Sequence, residues 1–270
     1  MKVFVITGAS DGIGAEMARQ LARKLGTGAA LVLAARNQDK LELVAQDCRG
    51  AGAQAEAVMT DVGQEWQCRH LIEKAMQAFG RIDVLVNNAG MSAHALFSDV
   101  REQDLHWYED LMRVNFWGAL WCTHAALPHI KASRGCIVAV SSLAGLMGVP
   151  GRNAYSATKF AVTGFFEALR AELKPSGVSV TVAYPGVVAT ETRRRGYNAR
   201  GEAAGTSGLK EDKAMSVEEC ARLIIDGMNA RKREVVMTAQ GKVGRFIKLL
   251  APGVVENIAL RALADEAKPH

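Results

Sequence analysis

Seven short, largely apolar runs, separated by segments of helical period, constrain this chain more than any other feature. The runs are Val3–Thr7, Leu31–Ala35, Ala55–Met59, Val84–Val86, Ile137–Val140, Val178–Ala183 and Val235–Met237. A strand with one face in water alternates apolar and polar residues, whereas a strand covered on both faces does not, so these runs predict a buried parallel sheet. Between them, Cys68, Leu71, Ile72, Ala75, Met76 and Phe79 share one helical face, as do Val217, Cys220, Ala221, Ile224, Ile225 and Met228. Each set is an apolar stripe fit to cover a sheet. The alternation predicts a single-domain, doubly wound three-layer α/β sandwich over residues 1–240.

Two regions break the pattern. From Thr192 to Ala214 the residues turn to Arg, Gly, Glu, Ser and Thr with little periodicity; a loop this long inside a compact domain is usually functional or disordered. Residues 241–270 read as two short amphipathic pieces broken at Pro252-Gly253 and packed on the same domain. In the first, Val243, Phe246, Ile247 and Leu250 share a face flanked by Lys242, Arg245 and Lys248. Such a face suits packing on the domain or a subunit contact, and also peripheral contact with a membrane surface.

Composition narrows the class. A chain of 270 residues, 49% hydrophobic, can bury a large core. The net charge of +5 is spread along the sequence, and nucleic-acid binding calls for a clustered basic face, so none is expected. Five cysteines without a C-x-x-C pair suggest reduced thiols, with neither a disulfide framework nor a metal site. No apolar run is long enough to span a bilayer, and Met1 leads almost directly into a strand, leaving no room for a signal peptide. A cytoplasmic protein is expected.

The stretch Thr7–Gly14, "TGASDGIG", admits two chemistries. Gly8, Ser10 and Gly12 fit G-x-S-x-G, the elbow that presents a nucleophilic serine. That elbow takes an oxyanion donor from an earlier strand-helix loop, and here only Met1–Thr7 precede it. The other reading is a glycine turn between a first strand and a helix starting near Ile13, which cradles a pyrophosphate at the helix N-terminus. Gly8 permits the tight turn, Gly12 lets backbone approach the phosphates, and Gly14 lets the helix pack closely on the strand. The spacing G-x-x-x-G-x-G differs from the general G-x-G-x-x-G fingerprint.

Further motifs follow in order: "NNAG" at Asn87–Gly90, Asn115 in "RVNFWGAL", Ser142 in "VSSLAG", "YSATK" at Tyr155–Lys159 and "YPGVVATET" at Tyr184–Thr192. Together with the glycine turn they resemble the short-chain dehydrogenase/reductase family over about Lys2 to Met237. The resemblance implies a Rossmann-like fold with a seven-stranded parallel sheet, a nicotinamide cofactor, and interconversion of a secondary alcohol and a ketone.

The chemistry is readable in the residues. Hydride transfer to a carbonyl leaves negative charge on oxygen, so a proton donor must stand beside it. A free phenol, with pKa ~10, is a poor donor near neutrality. Lys159 lies four residues after Tyr155, on the same helix face, where its ammonium favours the phenolate. Ser142, near the end of a buried strand, can hydrogen-bond the substrate oxygen. Adjacent strand residues face opposite ways, so Ser141 is its rival; the family register selects Ser142. Asn115 sits in an apolar helical stretch where an unpaired amide is costly. The resemblance gives it a water linking the lysine to solvent; a helix-kink role is compatible.

Cofactor choice rests on "LVLAARN", where Ala35 stands in place of the acid common in NAD users and is followed by Arg36 and Asn37. Guanidinium matches a 2′-phosphate, which predicts NADP(H). The glycine turn, by contrast, carries Ser10 and Asp11 where many NADP-using relatives have a basic residue. By resemblance, Asp61 and Val62 meet the adenine, and Asn88, Ala89 and Gly90 lie beside the adenosine ribose. Val188 and Thr190, after Pro185-Gly186, hold the nicotinamide carboxamide, and residues 190–215 form a substrate lid. Met91, His94, Leu143, Met147 and Val149 are expected to line a largely apolar pocket suited to a hydrophobic, steroid-like alcohol or ketone. "TRRRGYNAR" at Thr192–Arg200 reads as a solvated basic loop, or as a contact for an anionic acyl-carrier thioester. Alternatives are therefore a 3-oxoacyl-carrier-protein reductase and a non-catalytic NADP-binding regulator. Family habit implies a homodimer or homotetramer.

Overall fold

The computed structural model describes residues 1–205 and 214–266. Its centre is a sheet of seven parallel strands: β1 (Lys2–Thr7), β2 (Ala29–Ala35), β3 (Gln54–Met59), β4 (Val84–Asn87), β5 (Cys136–Val140), β6 (Ser179–Tyr184) and β7 (Glu234–Val236). Their spatial order is β3-β2-β1-β4-β5-β6-β7. The order turns back between β1, paired with β2 from Lys2↔Ala29, and β4, paired through Phe4↔Val84. In a doubly wound sheet the crevice beyond the carboxyl ends at such a switch point is the ligand site.

Alternate residues of each strand feed the two faces. Phe4, Ile6, Leu31 and Leu33 pack with Met17 and Leu21 of α1 (Gly12–Leu25), Leu41 of α2 (Gln38–Gly50) and Ile224 of α7 (Val217–Asn229). Val5, Val32, Leu85 and Ile137 face the other way, onto Leu71 of α3 (Glu65–Phe79), Ile130 of α5 (Gly118–Ser133) and Phe166 of α6 (Asn153–Leu173). A short helix, α4 (His106–Met112), runs into α5 through a π-helical turn at Arg113–Trp117. Burying one leucine of this kind contributes about 1.5–3 kcal/mol.

The expected strands are all present, with ends moved by one or two residues at most of them. One inference is corrected: β3 is not covered on both faces, for Gln54, Glu56 and Met59 are exposed. It is the edge strand beyond β2 and gets less cover from helices than the central strands do.

The C-terminal segment forms α8 (Ala239–Leu250) and α9 (Pro252–Glu266). The break falls at Ala251, one residue before the expected Pro252-Gly253, because proline fits the first turn of a helix where its missing N–H costs nothing. The attachment of α8 also differs from expectation. Gly241 and Gly244 face Leu143 and Met147 of the body, while Val243, Phe246, Leu249 and Leu250 point outward. Small residues give the close approach, so the apolar side is left exposed. Among the described residues, no helix is long and apolar enough to cross a membrane.

Candidate active site

β1 ends at Thr7 and the chain turns at once into α1, with Gly8 and Gly12 at φ of +67° and +54°. Side chains rarely adopt that region, so glycine is required at both. A Cβ on Gly14 would run into the Gly8 carbonyl and the Asn88 amide. Gly14 thus brings α1 against the turn itself rather than against the strand. The turn is locked from the next strand: Asn88 Nδ2 donates to the carbonyls of Thr7 (3.0 Å) and Gly8 (3.2 Å). The Thr7 hydroxyl accepts from the N–H groups of Asn88 and Ala89 and donates to the Val86 carbonyl. The Asn88 amide nitrogen is committed to the glycine turn, while the residue itself lines the cleft.

A cleft of about 520 Å³ opens over this switch point, within the range of small-molecule sites. It is lined by Gly8, Ser10, Asp11, Gly12 and Ile13 of the turn, by Arg36 and Asn37 after β2, and by Asp61 and Val62 after β3. Asn88, Ala89 and Gly90 after β4 and Pro185, Gly186, Val188 and Thr190 after β6 close the other side. The Oδ1 of Asn37 is engaged locally, accepting from Lys40 N–H at 2.9 Å to cap α2. Asp61 likewise accepts from Gly63 N–H at 2.9 Å. Arg36 is exposed at the cleft rim.

The cradle fits a dinucleotide. Asp11 is the N-cap residue of α1 but makes no side-chain cap bond, and no acid stands in the first turn. The leading N–H groups of α1 therefore face the cleft as an anion site. The Asp11 carboxylate pairs instead with Arg195 at 2.7 Å, across from the expected lid. The basic triplet divides: Arg193 and Arg195 line the cleft, while exposed Arg194 lies 3.7 Å from Glu191. The segment is thus anchored rather than merely solvated. Tyr197 exchanges backbone hydrogen bonds with Ser92 and His94 and lies beside Trp107. The part of the expected lid from residue 206 to 213 lies outside the described residues.

Tyr155 and Lys159 both line this cleft from the first turns of α6. Lys159 is buried, and its Nζ donates to the Val140 carbonyl at the end of β5 (2.9 Å) while standing 5.7 Å from the centre of the Tyr155 ring. Burial, the largest influence, raises the Tyr155 phenol. The charge of Lys159, then that of Arg152, a hydrogen bond with Ser142 and the charge of Arg193 outweigh it, so the phenol lies below its ordinary value of 10.0.

The two serines separate cleanly. Ser141 is buried, its hydroxyl donating to the Lys159 carbonyl (3.0 Å) and lying 3.2 Å from Thr163 Oγ1. Ser142, two residues past the strand end, is half-buried and reaches Tyr155. Asn115 sits in the π-helical turn between α4 and α5, which is the kink. Both ends of its amide are engaged: Oδ1 accepts from Met91 N–H (2.7 Å), and Nδ2 donates to the Met91 carbonyl (3.0 Å) and Thr158 Oγ1 (2.9 Å).

Of the expected substrate-pocket residues, Met91 lines the cleft. Leu143 and Met147 do not line it but face α8, Leu143 also lying near Gly186 of the cleft wall, and His94 is half-buried next to Gly151. Sequence reasoning passed over Arg152, whose guanidinium stacks 4.4 Å from the Tyr155 ring centre and donates to Ser92 Oγ at 2.6 Å.

With this geometry in place, the family model for short chain dehydrogenases matches residues 2–200. The chain is a short-chain dehydrogenase. It is similar to 11-beta-hydroxysteroid dehydrogenase A of Sesamum indicum, 37% identical over 277 residues that cover 100% of this chain and 78% of the relative. The 11-beta-hydroxysteroid dehydrogenase-like 4A of Arabidopsis thaliana is 36% identical over 252 residues, 93% of this chain and 81% of the relative. Among solved structures, an alcohol dehydrogenase from Thermococcus sibiricus, complexed with 5-hydroxy-NADP, superposes with a TM-score of 0.76 at 27% identity, covering 88% of this chain and 96% of the other. A short-chain dehydrogenase/reductase from Burkholderia phymatum in complex with NAD gives 0.80 at 25% identity over 94% of each chain. This short-chain dehydrogenase is accordingly an oxidoreductase that acts on hydroxyl groups of small molecules with a nicotinamide cofactor.

Proposed function

We propose that this short-chain dehydrogenase uses NADP(H) to interconvert a secondary alcohol and a ketone on a hydrophobic substrate of steroid or lipid type. The observation that carries the reading is the half-buried Tyr155 phenol between Lys159 and Ser142, at the mouth of a cleft whose glycine turn suits a dinucleotide. When bound, the nicotinamide supplies or accepts the hydride. Tyr155 holds the proton at its phenolic oxygen and passes it to the substrate oxygen as charge develops there. Lys159 favours the ionised phenol, so the proton leaves more readily than from a free phenol. Ser142 donates to the same substrate oxygen, and Asn115 shapes the π turn that keeps Met91 and α6 in register.

Arg36 at the end of β2, with no acid at Ala35, supports NADP(H) over NAD(H). On this reading the remaining cleft residues, from Ser10 to Thr190, hold the dinucleotide. The pairing of Asp11 with Arg195 neutralises the one carboxylate of the turn that would oppose a phosphate. Names of the plant relatives and the apolar flank of Met91, Leu143 and Met147 support the substrate class. Five buried, free cysteines support a reducing compartment such as the cytosol. The outward apolar face of α8 and α9 supports a contact with a second copy. Of the three basic residues that would accompany membrane binding, Arg245 is paired with Glu234 and Lys248 donates to Leu146, leaving Lys242. A panel of apolar ketones and alcohols run with NADP(H) and NAD(H) tests the reading. A kcat/KM ratio favouring NAD(H) would overturn the cofactor assignment.

A further inference from the structure

Arg152 stands at the N-cap of α6, a place that the helix dipole makes unfavourable for a cation. Its backbone is nonetheless pinned there from three sides. Gly151, at φ +72°, gives its carbonyl to Ala95 N–H (2.8 Å), and Arg152 N–H donates to Val149 (3.0 Å). The Arg152 carbonyl accepts the N–H of Ser156 at 2.8 Å. From this root the side chain folds over Tyr155, three residues on, with the guanidinium carbon 4.4 Å from the ring centre, closer than the 5.7 Å of Lys159 Nζ. Its other end is tied to buried Ser92 Oγ at 2.6 Å. A cation over an aromatic face is attracted to it, and more so once the ring carries charge.

We propose that Arg152 is a positioning residue for Tyr155, a guanidinium that locks the phenol ring and joins Lys159 in stabilising its ionised form. A local rule broken at a helix start, with the side chain held on the Tyr155 ring and on Ser92, is the mark of a functional constraint. The groups acting on the phenol are Lys159 and Arg152 from α6 and its cap, Ser142 from the loop after β5, and Arg193 from the segment after β6. His94 lies beside Arg152, where burial foremost and that guanidinium hold its imidazole below the usual range, so it adds no charge near neutrality.

The inference rests on Tyr155 as proton carrier, and its test separates the two. The chain has four tyrosines; burial raises Tyr108, Tyr184 and Tyr197, so Tyr155 titrates first. Phenolate absorbance against pH is recorded for wild type, Tyr155→Phe, Arg152→Gln and Arg152→Lys. The earliest transition should vanish in Tyr155→Phe, move up by about one pH unit in Arg152→Gln, and stay near wild type in Arg152→Lys. Alcohol oxidation by Arg152→Gln at neutral pH should fall about tenfold and recover in alkali. An unmoved transition, or an equal loss of rate at every pH, overturns the role of Arg152. Should Arg152→Gln not fold, Ser92→Ala removes one anchor of the guanidinium while keeping its charge; an upward move is expected, and an unmoved transition overturns the proposal. If the first transition survives Tyr155→Phe, the proton-carrier reading itself fails.

Discussion

Lys159 Nζ sits one helical turn from Tyr155, 5.7 Å from its ring centre, and is tied to the Val140 carbonyl at 2.9 Å. The bond to the strand keeps the amine in place beside the phenol. Burial raises the phenol, but the charge of Lys159, seconded by Arg152, Ser142 and Arg193, brings it below 10.0. On the proposed mechanism the ionised form is the base for alcohol oxidation, and the neutral form is the acid for ketone reduction. Oxidation kcat/KM should rise with pH to a plateau, with its midpoint below 10.0, and reduction should fall through the same midpoint. Lys159→Met should move both midpoints upward, at about tenfold in neutral oxidation rate per pH unit moved. A pH-independent oxidation rate would contradict this.

On the proposed reading, Arg36 sets the cofactor preference. Losing one charge-assisted contact to a 2′-phosphate costs about 1.5–3 kcal/mol, so Arg36→Ala should raise KM for NADPH by about 10- to 100-fold and leave that for NADH nearly unchanged. Paired steady-state assays with the two cofactors check this; equal losses would show that Arg36 does not read the phosphate.

Gly14→Ala places a methyl against the Gly8 carbonyl and the Asn88 amide. Overpacking of this kind costs about 1–3 kcal/mol, here concentrated in the cradle. Thermal melting and quenching titrations with NADPH should show a lowered Tm together with at least tenfold weaker binding. Wild-type affinity would mean that the turn does not need this closeness.

Much of the scaffold was legible because its strands are covered on both faces, which writes largely apolar runs into the chain. At the edge the same physics erases the signal: β3 alternates Gln54 and Glu56 with Ala55 and Ala57. The Tyr155–Lys159 pair could be read because four residues make one turn. The commitments of Asn37 and Asn88 could not. A cap bond and a lock on a neighbouring turn leave no periodic trace, and an asparagine beside a cleft looks the same whether it faces a ligand or the backbone. Arg152 escaped because half of its setting, Ser92, lies 60 residues away. Its spacing of three from Tyr155 was the available clue.

The outward apolar residues of α8 and α9 should bury themselves in a second copy. Removing the chain after Thr238 should turn an oligomer into monomers in sedimentation velocity. It should leave pelleting with anionic liposomes unchanged. Loss of liposome binding with no change in oligomeric state would assign the face to membrane instead.

The most direct measurement follows reduced-nicotinamide absorbance across a ketone and alcohol panel for wild type and Tyr155→Phe, with NADPH affinity determined in parallel. Positioned proton transfer contributes about 10²- to 10⁴-fold, so the variant should bind NADPH as the wild type does and lose turnover by that factor. Turnover by Tyr155→Phe within a few-fold of wild type would contradict the assignment of the phenol as the group that carries the proton.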